Sequence, residues 1–150
     1  MFDDEEDEES INPRRLPIYN KGREIMLLTL KITALIADTD DKLRFLKGMM
    51  LEDSALLTVK VSGAEAADLY DIRMENAAII RKAARDLSTH CTTLELYGFT
   101  ETQYLILIRE ALEAYKFLFR EWVQGFDPWN YILDDWGLFN PPGVTPDSGE

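Results

Sequence analysis

The chain has one cysteine and one histidine in 150 residues, and each scarcity removes a class of chemistry. A lone Cys91 forms no internal disulfide and builds no cysteine-based zinc cluster. A lone His90 cannot supply the two Glu-x-x-His pairs of a dinuclear carboxylate bundle, and Leu87 stands where such a motif would have its glutamate. No uncharged run approaches the roughly 20 residues that cross a bilayer. The opening MFDDEEDEES reverses the basic-then-apolar start of a secretory signal. The expectation is a cytoplasmic protein without membrane contact. Phosphate-binding loops are missing as well: Gly63 stands alone, with neither GxGxxG nor a P-loop around it, and no GxSxG elbow occurs. No catalytic residue, metal ligand or cofactor-binding residue is indicated, and no enzyme is expected.

What the chain does have is acid at both ends. Residues 3 to 9 are all carboxylates, and five more lie between Asp127 and Glu150. The middle balances its acidic residues against all 16 lysines and arginines, so the net charge of −12 sits on the two termini. Such ends are ordinarily solvated and disordered; the sharper alternative is an acidic tail that covers a basic surface on its own chain or on a neighbour.

Between the ends the hydrophobic period is helical. From Pro17, which suits a first turn, the stripe Ile18, Ile25, Leu28, Ile32 and Leu35 predicts a core-facing helix. A second set on the same helix, Met26, Leu27, Leu30 and Ala34, points the other way and leaves only a strip around Glu24 and Lys31 for water. A helix apolar on two sides buries both, which a lone bundle does not allow, so a neighbouring subunit is expected. Asp38 to Asp41 break this helix and cap the next, placed from Lys42 to Leu69, with Ser62-Gly63 as a kink or an early end. A third helix, from Ile72 to Tyr97, carries Ile80, Ala83, Leu87, Cys91 and Leu94, with Gly98 as its terminal glycine. Asp86, one turn before His90, is the partner expected for the imidazole. Thr100 to Gln103, TETQ, reads as a capping box for a fourth helix ending near Gln124. Its core face is Tyr104, Ile108, Ala111, Tyr115, Leu118 and Trp122, while Ile106 and Phe117 lie off that stripe. The domain plan is thus an acidic tail over 1–16, an all-α, antiparallel up-down four-helix bundle over 17–125 and an aromatic, acidic arm over 126–150.

The arm, DPWNYILDDWGLFNPPGV from Asp127 to Val144, concentrates two of the three tryptophans. Trp129, Ile132 and Trp136 are spaced for one face of a helical turn, with Phe139 beyond. Two tryptophans left in water make a large apolar patch, so either a strap on the same assembly or a motif docking another protein is implied. The best basic cluster is Arg81, Lys82 and Arg85 with Arg73, interleaved with acids. Nucleic acid is accordingly an alternative partner, disfavoured by the acidic ends.

Four stretches carry a family resemblance: Ala64-Glu65, IIRKAARDL at Ile79 to Leu87, YGF at Tyr97 to Phe99, and YLILIREALEAYKFLFREWV at Tyr104 to Val123. Over roughly residues 18 to 125 the chain resembles the ribosomal RNA intervening-sequence protein family of four-helix proteins. That family includes accessory proteins of diversity-generating retroelements, ring-shaped pentamers that bind nucleic acid and a reverse transcriptase. The resemblance implies an up-down four-helix bundle and a homo-oligomer, with the pentamer as one form, and it supplies no catalytic residue. Ala66 stands where the family pattern has glycine, and the basic surface is lacking. The expectation is therefore a self-associating structural or adaptor protein. Its principal interface is Met26, Leu27, Leu30 and Ala34, with Ile106 and Phe117 secondary; the alternative is a nucleic-acid-binding accessory factor.

Overall fold

The computed structural model describes residues 12–149, so the acidic run and most of the disordered tail expected before Pro17 lie outside it. Among the described residues there are four α-helices and no strand: α1 (Pro17–Thr33), α2 (Asp41–Ala67), α3 (Tyr70–Leu96) and α4 (Leu105–Gln124). None is long and apolar enough to cross a membrane. Of the expected tail, Pro13–Arg15 form a 3-10 turn and Leu16 packs on the core.

Helix α1 buries Ile18, Ile25 and Ile32. Thr29 and Thr33 lie in the same face, and their hydroxyls donate back to the carbonyls of Ile25 and Thr29 at 2.8 and 2.6 Å, so no buried polar group is orphaned there. Gly22 lets α1 approach α2 closely: a Cβ at this position would lie 2.8 Å from the Leu57 carbonyl oxygen. Leu35, expected in the stripe, is exposed and Ile36 is buried instead. The helix ends at Thr33, and the turn that follows rotates the phase of the pattern.

The carboxylate of Asp40 caps α2, accepting from the Leu43 N–H at 3.0 Å. The helix then passes through Ser62-Gly63 unbroken to Ala67. Gly63 is a point of close approach, where a Cβ would come 3.2 Å from Asn76 Oδ1 on α3. The reversal falls to Asp68, whose φ of 51° places it in the left-handed region that usually demands glycine. Lys42 lies against Tyr97, Asp53 against His90 and Gly63 against Asn76, so α2 and α3 run antiparallel along their full lengths.

The predicted α3 stripe is buried throughout, joined by Ala77. Gly98, at φ 91°, ends it; its N–H donates to Glu95 O, and that of Phe99 to Leu94 O. The capping box is not formed. A 3-10 turn at Thr102–Tyr104 moves the start of α4 to Leu105, and the Gln103 amide donates to the Glu101 carboxylate at 3.0 Å. The α4 core face accordingly begins at Leu105, takes in Ile108, Ala111, Leu112 and Tyr115, and leaves Tyr104 outside. Tyr115 reaches across the core to donate its hydroxyl to Leu57 O at 2.8 Å. Helix α1 packs on both α2 and α4, and α2 on α3; of these neighbouring pairs α3 and α4 share the least contact.

Candidate functional site

The sparse contact between α3 and α4 opens a groove of about 630 Å³. Its floor is apolar, made by Ile80, Ala84, Leu112 and Phe119. Its rim is cationic: Arg81 and Arg85 from α3 face Arg109, Lys116 and Arg120 from α4. Arg109 is held by Glu95 at 3.0 Å and Lys116 by Glu113 at 3.0 Å. Arg81, Arg85 and Arg120 enter no ion pair among the described residues. Three unpaired guanidinium groups over an apolar floor suit a partner that is at once acidic and hydrophobic.

The sequence cluster of Arg73, Arg81, Lys82 and Arg85 is not one patch. Arg73 is largely buried, pairs with Asp68 at 3.0 Å and lies over the ring of Phe126. Lys82 pairs with Asp86. Only Arg81 and Arg85 face the groove, where they meet α4 cations that no single-helix spacing brings together.

Among the described residues the arm holds no α-helix, only a 3-10 turn at Pro146–Gly149. It is anchored first by Phe126, buried edge-on against Trp122 with ring centroids 4.8 Å apart. The Trp122 indole donates to Glu65 at 2.7 Å. Asn130 then fastens the arm to the α2–α3 turn: its side chain donates to Asp68 O, and its carbonyl accepts from the Tyr70 N–H at 3.0 Å. Beyond this, Asp134 organises a loop. Its carboxylate accepts from the N–H groups of Trp136, Leu138 and Phe139 at 2.8 to 2.9 Å, and its own backbone is bracketed by the Asn140 side chain. Those N–H groups, Phe139 foremost, hold the Asp134 carboxyl below the usual carboxylate range. Gly137, at φ 73°, makes the turn, and Pro146 lies against it.

The anchored loop displays its apolar side chains to solvent. Trp136 is 96% exposed, and Trp129, Ile132 and Leu138 are also exposed. Phe139 is half-buried and Pro141 buried. The three residues expected on one helical turn lie on no helix, because Asp134 closes a side-chain-to-backbone turn where a helix would need continuous backbone bonds.

His90 is paired across the helix interface, not along its own helix. Its Nδ1 lies 3.0 Å from Asp53 Oδ2 on α2, while Asp86 is occupied by Lys82. Burial pushes the Asp53 carboxyl up, and the imidazole pulls against that shift. Such a pair can orient a proton, but among the described residues no hydroxyl or thiol nucleophile is bonded to it, and Thr93 on the same helix donates to Thr89 O. Cys91 is fully buried, and burial pushes its thiol up to about 11. No cluster of three metal-ligating side chains occurs among the described residues.

The expected oligomer residues fall on outer faces. Leu27, Leu30 and Ala34 are exposed and Met26 is half-buried on α1; Ile106 and Phe117 are exposed on α4, Phe117 by 61%. No protein-family model, no curated protein and no solved structure matches the chain.

Proposed function

We propose that this chain is a non-catalytic adaptor: an antiparallel up-down four-helix bundle that associates with copies of itself and presents its aromatic arm as a docking element, in the cytoplasm. The observation that carries this reading is apolar surface in excess of one core. Leu27 and Leu30 on α1 and Ile106 and Phe117 on α4 are large, aliphatic or aromatic, and exposed, an arrangement associated with interfaces when such residues form patches. The principal contact is the α1 face of Met26, Leu27, Leu30 and Ala34. Kinship with the intervening-sequence family, and with it a pentamer as one form, belongs to this proposal. Cys91, buried with its thiol pushed up, is unsuited to act as a nucleophile, in keeping with a non-catalytic reading.

Light scattering of the full chain at tens of micromolar is the test. A closed oligomer whose mass falls on Leu30→Glu supports the reading; a monomer at every concentration sinks it. The unpaired Arg81, Arg85 and Arg120 favour a second reading, a nucleic-acid accessory factor. It requires RNA or DNA binding whose affinity falls steeply with salt, and absence of binding at low ionic strength ends it.

A further inference from the structure

The groove and the loop are complementary in three respects. The groove has an apolar floor, and the loop displays exposed Trp136 and Leu138, with Ile132 exposed just before it. The groove rim carries unpaired Arg81, Arg85 and Arg120, and the loop places Asp135 directly before Trp136, with Asp127 and Asp147 on the same arm. A volume of about 630 Å³ lies within the roughly 300 to 1,000 Å³ of pockets that hold a bulky side chain or small ligand. The two elements do not meet within one chain: Phe126 and Asn130 fasten the arm at the α2–α3 turn, and Trp136 is almost fully in water.

We propose that the Asp134-to-Asn140 loop of one copy seats Trp136 in the α3–α4 groove of a second copy, with Asp135 against the Arg81 and Arg85 rim. This rests on the self-association reading and adds a second contact to it. The contact is heterologous, joining two different surfaces, so each copy has one free loop and one free groove until a ring closes or a chain extends. Its one tryptophan offers on the order of 200 Å² of apolar area, far less than the about 800 Å² per partner of a stable interface. A single contact is therefore weak, populated at high micromolar concentration, and closure or the α1 face strengthens it. Tryptophan and arginine are the residues that most often dominate such small contacts.

The experiment uses full chains that carry Leu30→Glu, which removes the α1 contact, and reads mass by sedimentation at high micromolar concentration. The Leu30→Glu chain alone is expected to self-associate. Adding Trp136→Ala, or Arg81→Glu with Arg85→Glu, yields monomers with unchanged helical circular dichroism, because all these side chains are exposed. Mixing the two monomeric variants is then expected to give a one-to-one dimer and nothing larger, since one supplies only a groove and the other only a loop. A mixture that stays monomeric overturns the proposal. Association that survives Trp136→Ala but fails in the arginine variant assigns the groove to another acidic segment, such as residues 3 to 9, and overturns it too. If the wild type is oligomeric and the Leu30→Glu chain is a monomer, self-association stands and the loop contact falls. A monomeric wild type removes both.

Discussion

Replacing Gly22 by alanine sets two physical effects against each other. Glycine inside a helix is disfavoured relative to alanine by about 0.8–1 kcal/mol, so local propensity alone makes Gly22→Ala stabilising. The structure requires the opposite sign. The added Cβ would lie 2.8 Å from Leu57 O, 3.1 Å from Leu57 C and 3.2 Å from Thr58 Cγ2. The nearest two atoms are backbone of α2, whose carbonyl at this point also receives the Tyr115 hydroxyl. No rotamer relieves the clash, so α1 and α2 must separate by roughly half an ångström along a close-packed seam. Overpacking of this kind costs about 1–3 kcal/mol. The expected net loss is about 1 kcal/mol, or ~2–4 °C in Tm for a chain of this size. Urea unfolding followed by circular dichroism at 222 nm measures it, with the exposed Gly48→Ala as the control for propensity alone. A Gly22→Ala protein as stable as Gly48→Ala would refute the close-approach argument.

Three further outcomes are expected. Phe126→Ala removes a buried ring packed on Trp122 and should cost about 3 kcal/mol of unfolding free energy, whereas Trp136→Ala should change stability by less than about 0.5 kcal/mol; equal effects in thermal melts would contradict the arm geometry. Because the Asp134 carboxyl is held below its ordinary 3.8, the loop order it confers is present above that value and is lost as pH falls through the lowered one. The Trp136 indole resonance should broaden or shift there, and Asp134→Asn should abolish the transition. With its thiol buried and pushed up to about 11, Cys91 should react with a thiol reagent at pH 8 only as fast as the protein opens. Immediate labelling under native conditions would show that α3 does not face the core as described.

The helices and most of their core faces are readable in the sequence because a 3.6-residue period survives burial: every residue of the predicted α3 stripe is buried. Errors gather where tertiary structure overrules the local pattern. TETQ has the residues of a capping box, yet a 3-10 turn takes their place. Leu35 continues a period that the chain abandons two residues earlier at Thr33. The turn after α2 is made by Asp68, a residue that tolerates the left-handed region, not by the glycine five positions before it. Helical spacing pairs His90 with Asp86 on its own helix because it reports nothing of Asp53 on another. The groove escaped for the same reason: its cations come from two helices, and only their packing sets Arg85 across from Arg120. In the arm the aromatic content marks the segment, while the turn centred on Asp134 depends on three backbone N–H directions that no composition encodes.

Leu69, which precedes α3, offers no side-chain cap, and the first N–H of that helix is instead taken by the carbonyl of Asn130, whose side chain also secures Asp68, 62 positions earlier in the chain. The start of α3 is thus completed by a residue made long after it. During synthesis, which delivers residues in order at about 5–20 per second, the ribosome must extend well past α4 before this helix end is satisfied. Until then the first turn of α3 frays while its middle already packs on α2, and a segment that emerges after all four helices locks the junction of the two longest.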